Sequence, residues 1–186
     1  MAQYNIALII GSLRKESINR QLATAIVKLA PADVAFNEVR IGDLPLYNQD
    51  LDGNQPEPVN LFKRAIEGAQ GVLFVTPEYN RSVPGVLKNA IDQGSRPWGK
   101  SSWGGKPAAV LGISPGAAGT CMAQQHLRNM LAFLDMPTLG QPEMFLQMRE
   151  GMFNADGSIG EGSHAFLQKW MDAYTAWIRP LTASEY

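Results

Sequence analysis

Strand-like and helix-like patterns alternate five times along this chain, and that alternation leaves few architectures open. Ile6-Ala7-Leu8-Ile9-Ile10, Val72-Leu73-Phe74-Val75 and Pro107-Ala108-Ala109-Val110-Leu111-Gly112-Ile113 are apolar runs suited to strands covered on both faces. Val34 to Ile41 is a weaker, more polar strand pattern, as befits an edge, and a fifth strand is expected within Pro137 to Leu146. Helical periodicity follows each run. The first helix is expected from about Ile18 to Leu29, where Pro31 stops it, and the second over Val59 to Gly68. The third runs from Val83 to about Gly94 and the fourth from about Cys121 to Leu134. The last, about Gly162 to Ile178, carries the stripe Phe166, Leu167, Trp170, Met171, Tyr174, Trp177 and Ile178. Strands separated by helices are joined by crossovers, which gives a parallel sheet with helices on both faces. Five such units predict a three-layer α/β fold with a five-stranded parallel sheet, strand order 2-1-3-4-5 and right-handed crossovers. With no repeat, low-complexity tract or linker in 186 residues, one domain spanning 1–186 is expected.

In that topology the loops after strands one, three and four meet at one edge of the sheet, where such folds bind ligands. The first loop and helix start, Ser12-Leu13-Arg14-Lys15-Glu16-Ser17-Ile18-Asn19, offers hydroxyls, a guanidinium and the free N–H groups of a helix head. These are phosphate-binding groups. The bland alternative is that Ser17 merely caps a helix and that Arg14 and Lys15 are solvated. No dinucleotide glycine pattern and no glycine–lysine phosphate loop follows Gly11, so a single phosphate is the expected anion. The third strand ends in Thr76-Pro77-Glu78-Tyr79-Asn80, because Pro77 cannot donate to a ladder. Ser82 is placed to cap the next helix, with Pro84 in its first turn. Either a flat aromatic ligand lies against Tyr79 and the loop amides, or this is simply a tight connection. The fourth loop, Ser114-Pro115-Gly116-Ala117-Ala118-Gly119-Thr120, is small enough for a ligand to approach its backbone, or for close helix–sheet packing.

These pieces together resemble the NADPH-dependent FMN reductase family, which includes quinone, azo-dye and chromate reductases. The likeness is carried by Gly11 to Asn19, by Thr76 to Asn80 with Ser82-Val83-Pro84-Gly85 and Leu87 to Asp92, and by Ser114-Pro115-Gly116. It covers nearly the whole chain in element order. Gly116-Ala117-Ala118-Gly119 departs from the more glycine-rich loop of many relatives. The resemblance implies a flavodoxin-like fold, bound FMN and NAD(P)H as reductant. Ser12, Leu13, Arg14, Lys15, Glu16, Ser17, Ile18 and Asn19 would surround the FMN phosphate and ribityl chain. Pro77, Glu78, Tyr79 and Asn80 would line the isoalloxazine, and Ser114 and Gly116 would approach its other side. Hydride would pass from NAD(P)H through FMN to a quinone, azo, flavin or metal-oxyanion acceptor. No side chain is expected to be catalytic, because the flavin carries the chemistry. The alternative function is a flavodoxin-type electron carrier that never meets NAD(P)H. The family also implies a homodimer or homotetramer.

Charge and rarer residues narrow the rest. A formal net charge of -1 gives no electrostatic case for nucleic acid or an anionic membrane surface. Charge so nearly balanced also disfavours a strongly acidic electron carrier. No apolar run is long enough to span a bilayer, and Met1 to Asn5 lacks a basic leader pattern. With Cys121 the single cysteine, a cytoplasmic protein is expected. Cys121, near a helix start, is read as structural rather than reactive. His126 and His164 have no partner at metal-ligand spacing, so no metal is expected. Trp98 and Trp103 either cover the flavin, join an oligomer contact or pack internally. Met122, Met130, Met144, Met148 and Met152 add to the case for an interface.

Overall fold

The structure, a computed structural model, describes residues 4–183. Ten elements alternate: β1 (Tyr4–Ile10), α1 (Ile18–Ile26), β2 (Val34–Glu38), α2 (Glu57–Glu67), β3 (Gly71–Val75), α3 (Gly85–Gly94), β4 (Ala108–Ser114), α4 (Cys121–Phe133), β5 (Phe145–Gln147) and α5 (Glu161–Ala183). All strands pair in parallel in the order β2-β1-β3-β4-β5, as the alternation predicts. Between β1 and β3, Ile6 faces Gly71 and Ile10 faces Val75.

The period of two along each strand divides the core. Ile6, Leu8, Ile10, Leu73, Val75, Leu111 and Ile113 pack on α1 and on the α5 stripe of Leu167, Trp170, Met171, Tyr174 and Ile178. Ala7, Ile9, Val72, Phe74, Ala108 and Val110 face the other way, onto α2, α3 and α4. Trp103 joins this second half. Its ring meets those of Phe62 and Phe74, and its Nε1 donates to the Ile91 carbonyl, 3.0 Å.

Several boundaries differ from the sequence pattern. β2 ends at Glu38, although Val39 still donates to the Leu8 carbonyl and Ile41 is buried. α1 gives way to a 3₁₀ turn over Val27–Leu29. α3 starts at Gly85 with Pro84 at its cap position, so Ser82 does not cap it. β5 is three residues that overrun the far end of the expected window to Gln147, after Pro137 and Pro142, neither of which can donate to a ladder. α5 runs on through Pro180 to Ala183.

Candidate functional site

Backbone and side chains from distant stretches draw three loops together at the carboxyl edge. Gly11 N–H donates to the Val75 carbonyl, 2.8 Å, so the first loop leaves β1 beside the end of β3. Thr76 N–H donates to the Leu111 carbonyl, 3.0 Å, and the ladder stops there because Pro77 follows. A Cβ on Gly112 would collide with the Thr76 carbonyl, so glycine is what lets β3 and β4 close at this level.

In the first loop Ser12 and Ser17 are buried and Leu13, Arg14, Lys15 and Glu16 are exposed. Ser17 Oγ accepts from Arg20 N–H, 3.3 Å, which is the expected cap. The N–H groups of Ile18 and Asn19 have no acceptor among the described residues. Arg14 likewise has no ion pair or hydrogen bond among them. Arg20 is different: it pairs with Glu38 at 2.7 Å, and that hydrogen bond pushes its pKa up.

Asn19 departs from the sequence reading. Its Nδ2 donates to the Ile113 carbonyl, 2.9 Å, and its Oδ1 accepts from the Ile113 N–H, 3.0 Å. Both polar ends of this buried side chain serve the β4 peptide where no β3 neighbour remains. Asn19 therefore fastens the head of α1 to β4, and its side chain is not free for a ligand.

The loop after β3 is a reverse turn. Tyr79 and Ser82 exchange both backbone hydrogen bonds, 3.0 Å each, with Asn80 at φ 51 and Arg81 at φ 64 between them. Two consecutive positive φ values are the signature of a type I′ turn. Pro77 is buried, Tyr79 is 47% exposed and Asn80 is exposed, so the phenol is available as a surface for a ring. Glu78 is not directed outward. Its Oε2 accepts from the N–H groups of Met122 and Ala123, 3.0 Å each, at the start of α4. Ser82 Oγ lies 3.0 Å from His126 Nδ1 on the same helix.

In the loop after β4, Ser114 Oγ donates to the Gly116 carbonyl, 3.0 Å, and residues 115–118 are exposed. Gly119 has φ +56, and a Cβ there would press on the Phe145 backbone. Sequence reasoning missed the segment after β5. Met148 N–H donates to the Ser114 carbonyl, 2.8 Å. Residues 148–155 and Gly157 then form one wall of a cleft of about 590 Å³ whose other wall includes Lys15, Glu16, Ser17 and Gln21. No motif marks this segment. Trp98 and Trp103 part company: Trp103 is in the core, and Trp98 is 77% exposed. Met144 and Met152 are core residues too. Among the described residues no cluster of three His, Cys, Asp or Glu side chains suits a metal ion.

The arrangement fits a flavin mononucleotide. Free amides at the head of α1 and the unpaired Arg14 suit a single phosphate, and a half-exposed tyrosine beside a loop of small residues suits a planar ring. Sheet order and the loops at its carboxyl edge define the flavodoxin-like class of α/β proteins. The chain belongs to the NADPH-dependent FMN reductase family, whose model matches residues 4–151. It is 54% identical over 175 residues to a 2-hydroxy-1,4-benzoquinone reductase from a Burkholderia species, a match covering 94% of this chain and 96% of the relative. A quinone reductase of Pseudomonas putida is 49% identical over 177 residues, covering 95% of each. Among solved structures, FerB of Paracoccus denitrificans, a flavoenzyme NAD(P)H:(acceptor) oxidoreductase, superposes with a TM-score of 0.92 at 45% identity, over 95% of this chain and 98% of that one. The protein is accordingly an oxidoreductase that uses FMN with NAD(P)H as reductant. None of the helices among the described residues is long and apolar enough to cross a membrane.

Proposed function

We propose that the protein is an NAD(P)H:quinone reductase built as one flavodoxin-like domain. The observation that carries the choice of acceptor is the 54% identity, nearly end to end, with a reductase of a hydroxylated benzoquinone. Bound FMN supplies the two-electron chemistry. The chain's own part is to bind, orient and expose. Ser12 to Ser17, with the amides of Ile18 and Asn19, hold the phosphate and ribityl chain. Pro77, Tyr79 and Asn80 support one side of the ring, and Ser114 and Gly116 approach from the other. Backbone N–H groups of these two loops stabilise the negative charge that reduction brings. Among the described residues no segment covers the exposed Tyr79 or residues 115–118, which leaves room for nicotinamide and quinone to take the same place in turn.

Steady-state kinetics with NADH and NADPH across quinones, azo dyes, free flavin and chromate test this reading. The highest kcat/KM is expected for a benzoquinone. Failure of either nucleotide to bleach the anaerobic flavoprotein would return the chain to the electron-carrier class.

We further propose a cytoplasmic homodimer or homotetramer. Leu46, Trp98 and Phe133 are strongly exposed. Phe133 and Met130 border a cleft of about 510 Å³ between α3 and α4. Large apolar side chains exposed in this way suit an interface core.

A further inference from the structure

α4 begins without a cap of its own. Thr120, in the cap position, has φ 74, and its side chain makes no capping bond; its hydroxyl accepts from Gln124 Nε2 instead, 3.0 Å. Glu78 supplies what is missing from 44 and 45 residues upstream, with Oε2 accepting from both Met122 and Ala123. A carboxylate at a helix head gains from charge assistance and from the helix dipole. Two more attachments join the same short segment to the same helix. Ser82 meets His126, and Arg81 Nη1 donates to Met122 Sδ, 3.1 Å. Both ends of the Tyr79–Ser82 turn are thus fastened to the first turns of α4. Between them Asn80 and Arg81 hold the positive φ values of the type I′ turn, a conformation uncommon for a residue such as Arg81.

We propose that Glu78 is a positioning residue: it locks the ring-side loop onto α4 before FMN arrives and acts through Tyr79 and Asn80 without touching the flavin. The inference rests on the placement of the ring against Pro77, Tyr79 and Asn80 given above. A loop already held in its bound shape loses less freedom on binding, and affinity rises accordingly. Residues 116–120 lead straight into α4, so the same carboxylate steadies both walls of the ring site.

Three variants test the lock: Glu78→Ala, Glu78→Gln and Ser82→Ala. In apoprotein, amide exchange at Met122 and Ala123 should quicken in Glu78→Ala and stay near wild type in Glu78→Gln, whose carbonyl oxygen still accepts. Calorimetric titration should show FMN and riboflavin weakened in parallel, about tenfold, in Glu78→Ala, since hydrogen bonds to a charged group are at stake. Glu78→Gln should recover most of that loss for both flavins. Ser82→Ala should weaken both by less than Glu78→Ala, because the cap remains. Unchanged exchange in Glu78→Ala, or unchanged flavin affinity despite faster exchange, overturns the proposal. So does a loss confined to FMN, which would point to the phosphate. Equal losses in Gln and Ala variants with Met122 and Ala123 still protected would make Glu78 a direct ring contact and equally end it. Should Glu78→Ala not fold, the Gln and Ser82→Ala variants carry the same comparison. Absence of flavin binding even in wild type would defeat the reading of the site, while apoprotein exchange would still judge the lock.

Discussion

Arg14 and Arg20 have opposite employment, the first exposed in the loop before α1 and the second on the helix itself. Arg20 is held by Glu38, whereas Arg14 is exposed, has no partner among the described residues and lies in the loop that leads into the free amides of α1. Arg14→Ala should therefore weaken FMN by ten- to more than a hundred-fold, corresponding to about 1.5–3 kcal/mol for a hydrogen bond to a charged group. Riboflavin, which lacks the phosphate, should bind as before, and calorimetry with both flavins checks the contrast. Equal losses for the two ligands would remove Arg14 from the phosphate. The same scale explains where sequence reasoning stopped. The loops were legible, because proline, glycine and capping serine mark them locally. Which side chains in them face outward was not. Asn19 and Glu78 find their partners 94 and 44 residues away, and nothing local signals either pairing. Ser82 looked like a cap for α3 because it precedes Pro84, but its hydroxyl lies against α4.

At the scale of elements, long apolar runs fixed β1, β3 and β4, since strands buried on both faces have little choice of composition. β5 was harder to place because three residues carry no period, and its position follows from pairing with Gly112, Ile113 and Ser114. The loop after α3 depends on a pin that no pattern announces. Lys63, nearly buried on α2, donates through Nζ to the carbonyls of Arg96 and Lys100. Lys63→Met should loosen residues 96–100 and cost roughly 1–3 kcal/mol, because carbonyls lose their donor. Burial lowers the pKa of this lysine below its ordinary 10.5, with Glu67 and Asp52 pulling the other way. The unfolded chain then keeps the proton to higher pH than the folded one. Stability of wild type relative to Lys63→Met should accordingly rise as pH climbs through the lowered pKa towards 10.5. Urea unfolding of both proteins at pH 7 and at pH 10 checks the sign; a gap that narrows at pH 10 would contradict it.

For the whole molecule, the unresolved question of the tryptophans divides cleanly once the chain is folded. Trp103 fits because Gly94 makes room, a Cβ there lying 2.6 Å from the indole. Its burial removes it, with Met144 and Met152, from the case for association. Leu46, Trp98 and Phe133 remain, with the half-buried Met122, Met130 and Met148. Light scattering should find more than one copy per particle at micromolar concentration, and Trp98→Asp with Phe133→Asp should give a monomer with its fold intact. A wild-type monomer with FMN bound would sink this. Trp98 also has a use beyond its contacts. Trp103 and Trp170 are enclosed and Trp177 is half-buried, whereas Trp98 lies open with the Arg96 guanidinium 5.8 Å from its ring. Its emission is the part of the apoprotein spectrum that acrylamide reaches most readily. Dilution across the association range should therefore turn a shielded, blue-shifted component into a quenchable, red-shifted one, so that the chain reports its own assembly without any attached dye.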